Sequence, residues 1–254
     1  MPYIKRTVQA GRIVEIKKYY SARYGKQSGR GARRNRTPED VAKLNERYAL
    51  DKLRWTLNAN FQGGDMLLTL TYDSRSEPPS PEDAYRDQKR FLRELRAAYK
   101  KDGRDLKYIS VTEYEAKRIH HHLVVNAIDA QKIYALWEER PGHGAMRTRY
   151  LDASGEYSEL AEYLIKETRR SFRSGKTSRK RWDASRNLAK PEIKREVIQR
   201  DSWRKTPAPR KGYILDAGSI EVGVDSWSGL PYQSYRLIKI QDINHQRKKE
   251  RKRE

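Results

Sequence analysis

The segment Ile119-His120-His121-His122-Leu123-Val124-Val125 limits the fold of this chain more than any other, because its apolar, β-branched end commits it to an extended strand. Side chains on a strand alternate faces, so His120 and His122 point one way and His121 the other. Two imidazoles on one face form the beginning of a two-histidine metal site. The run also reads as a polar strand end with three solvated histidines, and neighbouring segments must decide between the two.

Upstream, Lys107 to Glu115 reads as a second strand, joined to the first by a tight connection. A four-residue link, Ala116 to Ile119, sets Glu115 opposite His120 and Glu113 opposite His122, with all four on one face. A three-residue link puts Thr112 and Tyr114 there instead, so register tests the idea. Two imidazoles and one carboxylate make a facial set for Mg²⁺ or Mn²⁺ with positions open to a substrate oxygen. Glu113 is favoured over Glu115, which borders the turn.

Lys and Arg number 56 against 34 Asp and Glu in 254 residues, a net charge of +22 spread along the whole length. Such a balance implies a polyanionic partner, most often nucleic acid, since neutralised phosphates release counterions. With no cysteine, neither a disulfide framework nor a thiolate metal site is available, which fits a reducing cytoplasm. No run of about 18 apolar residues occurs, and the N-terminus carries no apolar core of signal-peptide length.

Residues 3–22 alternate around Gly11 as a basic hairpin or edge strand, and residues 23–36 are rich in Gly and Arg. Thr37-Pro38-Glu39-Asp40 starts a helix to about Asn60, and Met66 to Tyr72 is a strand. Pro78 to Asp83 repeats the helix-start chemistry ahead of an apolar stripe of Tyr85, Phe91, Leu92, Leu95 and Tyr99. Asp129 caps a short helix through Trp137, Met146 to Leu151 suits another strand, and Glu156 to about Arg173 is helical. Residues 212–224 and 231–241 alternate as two further strands. The expectation is an α+β fold, an antiparallel sheet flanked by helices with extra C-terminal strands.

Four regions result: a basic N-terminal extension (1–36), a principal domain (37–175), a basic segment with C-terminal strands packing on that same domain (176–243), and a charged tail (244–254). Gly175-Lys176-Thr177 resembles the end of a P-loop, but Arg170 stands where that motif needs Gly and a helix precedes it, so an ATPase is rejected.

In the helix around Ser158 to Lys166, Tyr157, Leu160, Ala161, Leu164 and Ile165 fall within an arc of about 140° at roughly 3.6 residues per turn. Tyr163 lies outside that arc, displayed from the side, with Lys166 one turn on. A phenol is a weak nucleophile at neutral pH, but a polarised phosphodiester and a nearby ammonium stabilise its anion.

Three segments thus stand in order: LLTLTY at 67–72, RIHHHLVVN at 118–126 and EYLIK at 162–166. Together they resemble the three motifs of the HUH endonuclease superfamily, specifically the rolling-circle replication initiators of plasmids and phages. The likeness covers roughly residues 37–240, including RKRWDASRN and the segment from Gly212 to Ile240. It implies a central five-stranded antiparallel sheet. It also implies a divalent metal held by His120 and His122 with Glu113 completing the set, and Tyr163 as the single nucleophile assisted by Lys166. The product would be a 5′-phosphotyrosyl link and a free 3′-OH primer at an origin hairpin, with a separate helicase parting the strands. The middle position of the histidine motif, usually aliphatic, is His121 here.

Single-stranded DNA is gripped by basic grooves with aromatic platforms. Arg179, Lys180, Arg181, Trp182 and Arg186 offer that combination next to the tyrosine helix, and the 23–36 segment suits flanking duplex phosphates. A relaxase or single-strand transposase uses the same chemistry. A non-catalytic nucleic-acid binder would carry the basic charge with incidental histidines.

Overall fold

A computed structural model describes residues 3–21, 37–114, 118–169, 180–225 and 229–240. Contacts divide the chain into two compact units, Arg36–Lys190 and a unit made of Met1–Asn35 with Pro191–Glu254.

The Arg36–Lys190 unit is built on β3 (Met66–Tyr72), β4 (Tyr108–Glu113), β5 (His120–Val125), β6 (His143–Tyr150) and the short β7 (Asp183–Ala184). They form one five-stranded sheet in the order β6-β3-β5-β4-β7, with antiparallel pairing throughout. Helices α1 (Pro38–Asn60), α2 (Pro81–Lys101), α3 (Gln131–Glu138) and α4 (Ser158–Glu167) cover it. Alternation sorts the core into two layers. Met66, Leu68, Leu70, Leu123 and Val125 face Phe91, Leu95 and Tyr99 of α2 and Ile133 and Trp137 of α3. Leu67, Ile109, Val111 and Val124 face Leu53 and Leu57 of α1 and Leu160, Ala161, Leu164 and Ile165 of α4. This is the expected α+β architecture, a helix-flanked antiparallel sheet.

The two long helices begin where their polar residues place them. Thr37 accepts a hydrogen bond from the Asp40 amide at 3.1 Å, and Ser80 accepts one from the Asp83 amide at 3.1 Å, each followed by Pro at the first helical position. The Asp129 side chain accepts from the Gln131 amide at 3.0 Å just ahead of α3, whose N-cap position is Ala130 rather than the expected Asp129. Leu68, fully buried in the central strand, is a direct stability probe. Leu68→Ala should cost about 2–5 kcal/mol and lower the urea midpoint followed by circular dichroism.

The second unit corrects the expected division of the chain. Residues 3–20 are not a mere extension: β1 (Tyr3–Ala10) and β2 (Ile13–Tyr20) form a hairpin about Gly11, whose φ of 58° suits a residue without a Cβ. The C-terminal strands do not join the sheet of the Arg36–Lys190 unit. Strands β8 (Glu192–Ile198), β9 (Tyr213–Val224) and β10 (Pro231–Lys239) pair with that hairpin in a separate sheet of order β8-β1-β2-β10-β9. Val14, Ile16, Tyr235 and Leu237 form a small core on one of its faces. Residues 3–22, 212–224 and 231–241 were legible as alternating segments, whereas β8 was not, and neither was the pairing of β1 with β8 or of β2 with β10. No helix among the described residues is long and apolar enough to cross a membrane.

Candidate metal and nucleophile site

On β5 the strand alternation holds. His120, His122 and Val124 share the face of α1 and α4, while His121 enters the opposite layer. The β4–β5 register differs from expectation by two residues: Glu113 lies opposite His120, and Val111 opposite His122. A shift of two keeps each side chain on its face, so Glu113 still projects toward the imidazoles. The physical reason sits on the other face. Thr112 lies opposite His121, and its hydroxyl meets His121 Nδ1 at 2.8 Å, locking that pair together. The strands are joined by residues 114–119 rather than the expected four; Glu115 falls outside the described residues.

His121 is therefore a core residue and no ligand of the site. Its ring is fully buried, with Nδ1 also 3.2 Å from Gln88 Nε2 and Nε2 3.1 Å from the Tyr72 hydroxyl. Burial, reinforced by the neighbouring imidazoles, pushes its pKa from 6.5 down to about 3. The folded state thus holds His121 neutral while the unfolded chain takes up a proton below 6.5. Stability it contributes is fully present above pH 6.5 and drains away as pH falls toward 3. His121→Gln should flatten part of the acid limb of a urea-midpoint profile between those values, with His122 supplying a similar slope down to about 4.

The site is assembled from four elements. From β5, His120 Nδ1 lies 3.2 Å from the Arg118 carbonyl and its Nε2 lies 3.1 Å from Glu113 Oε2 on β4. From α4, Glu167 reaches within 4.0 Å of the same Nε2. His122 Nδ1 meets the Thr69 hydroxyl of β3 at 3.2 Å, and its Nε2 meets the Tyr163 hydroxyl of α4 at 3.3 Å. Arg118 anchors the start of β5 by donating to the carbonyls of Asp73, Ser74 and Ser76 at 2.6–3.0 Å.

His120, His122 and Glu167 each bring one ligand atom within 4.8 Å of the others. Glu113 belongs to the cluster through His120. The donor set fits a divalent ion on a simple count. A neutral imidazole has one N–H, yet His120 faces an acceptor oxygen at each nitrogen, so a second proton or a cation must occupy one of the two contacts. His122 is held neutral by burial, its pKa lowered to about 4, so its lone pair is available at neutral pH. Two imidazole nitrogens with carboxylate oxygens suit Mn²⁺, Mg²⁺ or a similar first-row ion.

Tyr163 is 40 % exposed, unlike Tyr157, which is buried and donates to the Asp152 carbonyl at 3.0 Å. Burial raises the Tyr163 pKa, the negative charges of Glu167 and Glu113 raise it further, and Arg149 opposes them. The cation acting on the phenol is thus Arg149 of β6. Lys166, expected to assist, is exposed on α4 three residues beyond Tyr163. Beside Tyr163, a cleft of about 490 Å³ is lined by Leu67, Thr69, Arg147, Arg149 and Glu159, among others.

The predicted DNA-contact residues separate. Arg179 lies outside the described residues, as does the 23–36 segment. Arg181 is tied down, 3.3 Å from the Thr168 hydroxyl and 3.5 Å from Glu46 of α1. Trp182 packs against the α1–α4 layer with Lys52 over its ring at 5.7 Å, a largely structural setting. Lys180 and Arg186 are exposed. Glu167 and the Arg147–Arg149 pair escaped the sequence reading. Glu167 follows Tyr163 by four residues and so shares its helix face, a signal that was available.

Residues 65–168 match the protein family described as replication-associated protein ORF2/G2P. The matched segment runs from the start of β3 to the end of α4 and contains Glu113, His120, His122, Arg147, Arg149, Tyr163 and Glu167. It covers less than half of the chain and supports a role as a replication initiator. No curated protein and no solved structure matches the chain.

Proposed function

We propose that the chain is a metal-dependent, site-specific single-strand DNA nickase and strand transferase that initiates rolling-circle replication. The observation that carries this reading is the Tyr163 hydroxyl 3.3 Å from Nε2 of His122, itself a member of the three-residue group able to hold a cation. A nucleophile within hydrogen-bond reach of a charge-stabilising cluster is the arrangement that phosphoryl transfer to a side chain needs. The similarity to replication-associated proteins and the net charge of +22 support DNA as the substrate.

The chemistry balances with the residues at hand. Tyr163 Oη forms a bond to phosphorus, the phosphorus–O3′ bond breaks, and O3′ takes up a proton to leave a free 3′-OH. The phenolic proton passes to solvent water, which reaches the 40 %-exposed Tyr163, as Oη attacks, and the negative charge on the phenolic oxygen is favoured by Arg149. His120, His122 and Glu167 would hold a divalent ion, which would supply Lewis-acid polarisation of the phosphate. His122 Nε2 has a single lone pair, so it accepts from Tyr163 only while it binds no cation. Because the tyrosyl ester conserves the phosphodiester energy, attack by a 3′-OH reverses the step and rejoins strands.

The test incubates the protein with candidate origin oligonucleotides and Mn²⁺ and looks for a covalent adduct on a denaturing gel. An adduct that forms with Mn²⁺, is lost with EDTA and maps to Tyr163 supports the proposal. Persistent absence across hairpin substrates reduces the protein to a polyanion binder.

A further inference from the structure

We propose that the cleft between β6 and α4 seats the nucleotide on the 3′ side of the scissile phosphate, the one that stays joined to Tyr163, with Arg147 and Arg149 holding its next phosphodiester. The inference rests on the reading of Tyr163 as nucleophile.

Register places the two arginines. Arg147 lies opposite Thr69 and Arg149 opposite Leu67, so both share the sheet face that carries His122. Both are exposed and neither enters an ion pair within 4.0 Å among the described residues, although Arg149 acts on Asp152 and Tyr163 at longer range, so both guanidinium forks can reach a phosphate. Leu67 and Leu160 give the cleft an apolar surface suited to a sugar or a base face, and Glu159 offers an acceptor to a base amino group.

The placement of the cleft relative to the tyrosine gives the strand direction. In the sheet order β6-β3-β5-β4, the cleft occupies the β6–β3 side and the histidine–glutamate cluster the β5–β4 side. Along α4, Glu159, Leu160 and Tyr163 line the cleft, and Glu167 stands a turn further on beside His120. In an in-line displacement O3′ leaves from the side of phosphorus opposite Oη, carrying its strand away from the tyrosine, whereas the 5′-phosphoryl fragment remains bonded to Oη. The cleft is lined by Tyr163 itself and includes none of the cluster residues, so it suits the fragment that stays. The influence of Arg149 on the phenol agrees with its lining the same cleft.

The probe is trithymidylate carrying a 5′-phosphate, titrated in EDTA by NMR or calorimetry. A second probe has its first internucleotide linkage replaced by a neutral methylphosphonate. Wild-type protein should bind the charged probe about tenfold more tightly. Arg147→Gln with Arg149→Gln should erase that difference, so that the two probes bind the double variant with equal affinity. Trithymidylate with a 3′-phosphate instead should show no such dependence on the two arginines. The proposal is overturned if the double variant weakens both probes equally, if wild type does not discriminate, or if no binding occurs. Because no cleavage is required, these outcomes are separate from the adduct assay that decides the role of Tyr163.

Discussion

Tyr163→Phe should bind origin DNA as the parent protein does and form no covalent adduct. The substitution removes one oxygen from a side chain that is 40 % exposed and makes a single side-chain hydrogen bond, to His122, so the fold has little to lose. The reaction loses its nucleophile outright. Removal of a covalent nucleophile typically lowers turnover by roughly 10⁴-fold or more, and here the residual adduct should fall below detection. The measurement is denaturing electrophoresis of labelled oligonucleotide with Mn²⁺, beside a filter-binding curve. An undiminished adduct in the Phe variant would assign the chemistry to a different side chain. A parallel collapse of DNA binding would point to misfolding.

His120→Ala and His122→Ala should each weaken Mn²⁺ binding by more than about 100-fold, since loss of mere outer partners of metal ligands already costs about 10–100-fold. Both should eliminate nicking and retain most of the salt-sensitive DNA affinity, which arises from charge spread along the chain. Glu167→Gln should follow the histidines in Mn²⁺ titration by calorimetry. Glu113→Gln decides between two roles: a loss as large as that of Glu167→Gln makes it a ligand, and a smaller loss makes it the carboxylate that orients His120. His121→Leu supplies the contrast, because its ring lies in the opposite layer. It should alter thermal stability far more than metal affinity.

Much of this geometry was present in local pattern. Alternation alone put His120 and His122 together and His121 apart, and helical spacing separated Tyr163 from Tyr157. Those rules hold whatever the tertiary surroundings. Register was harder, because the β4–β5 link has no Gly or Asn turn to set its length, and the lock is a Thr112–His121 bond inside the core. Parity rescued Glu113 while its partner changed. The spacing of Glu167 from Tyr163 puts the two on one helix face, but its approach to His120 depends on α4 lying across β5, which spacing alone does not state. Arg179, Lys180, Arg181, Trp182 and Arg186 looked like one DNA grip, yet Arg181 is tied to Glu46 of α1 and Trp182 packs against the α1–α4 layer. The arginines of β6 drew no notice because their meaning depends on a cleft formed with a distant helix.

The second sheet joins strands from both ends of the described chain, β1 and β2 before the Arg36–Lys190 unit and β8 to β10 after it. During synthesis the first hairpin leaves the ribosome with its neighbours still untranslated, while the intervening unit has every strand it needs as soon as β7 has emerged. The Arg36–Lys190 unit is thus a guest spliced into a host that closes last, and pulse-chase proteolysis should find it protease-resistant before its host.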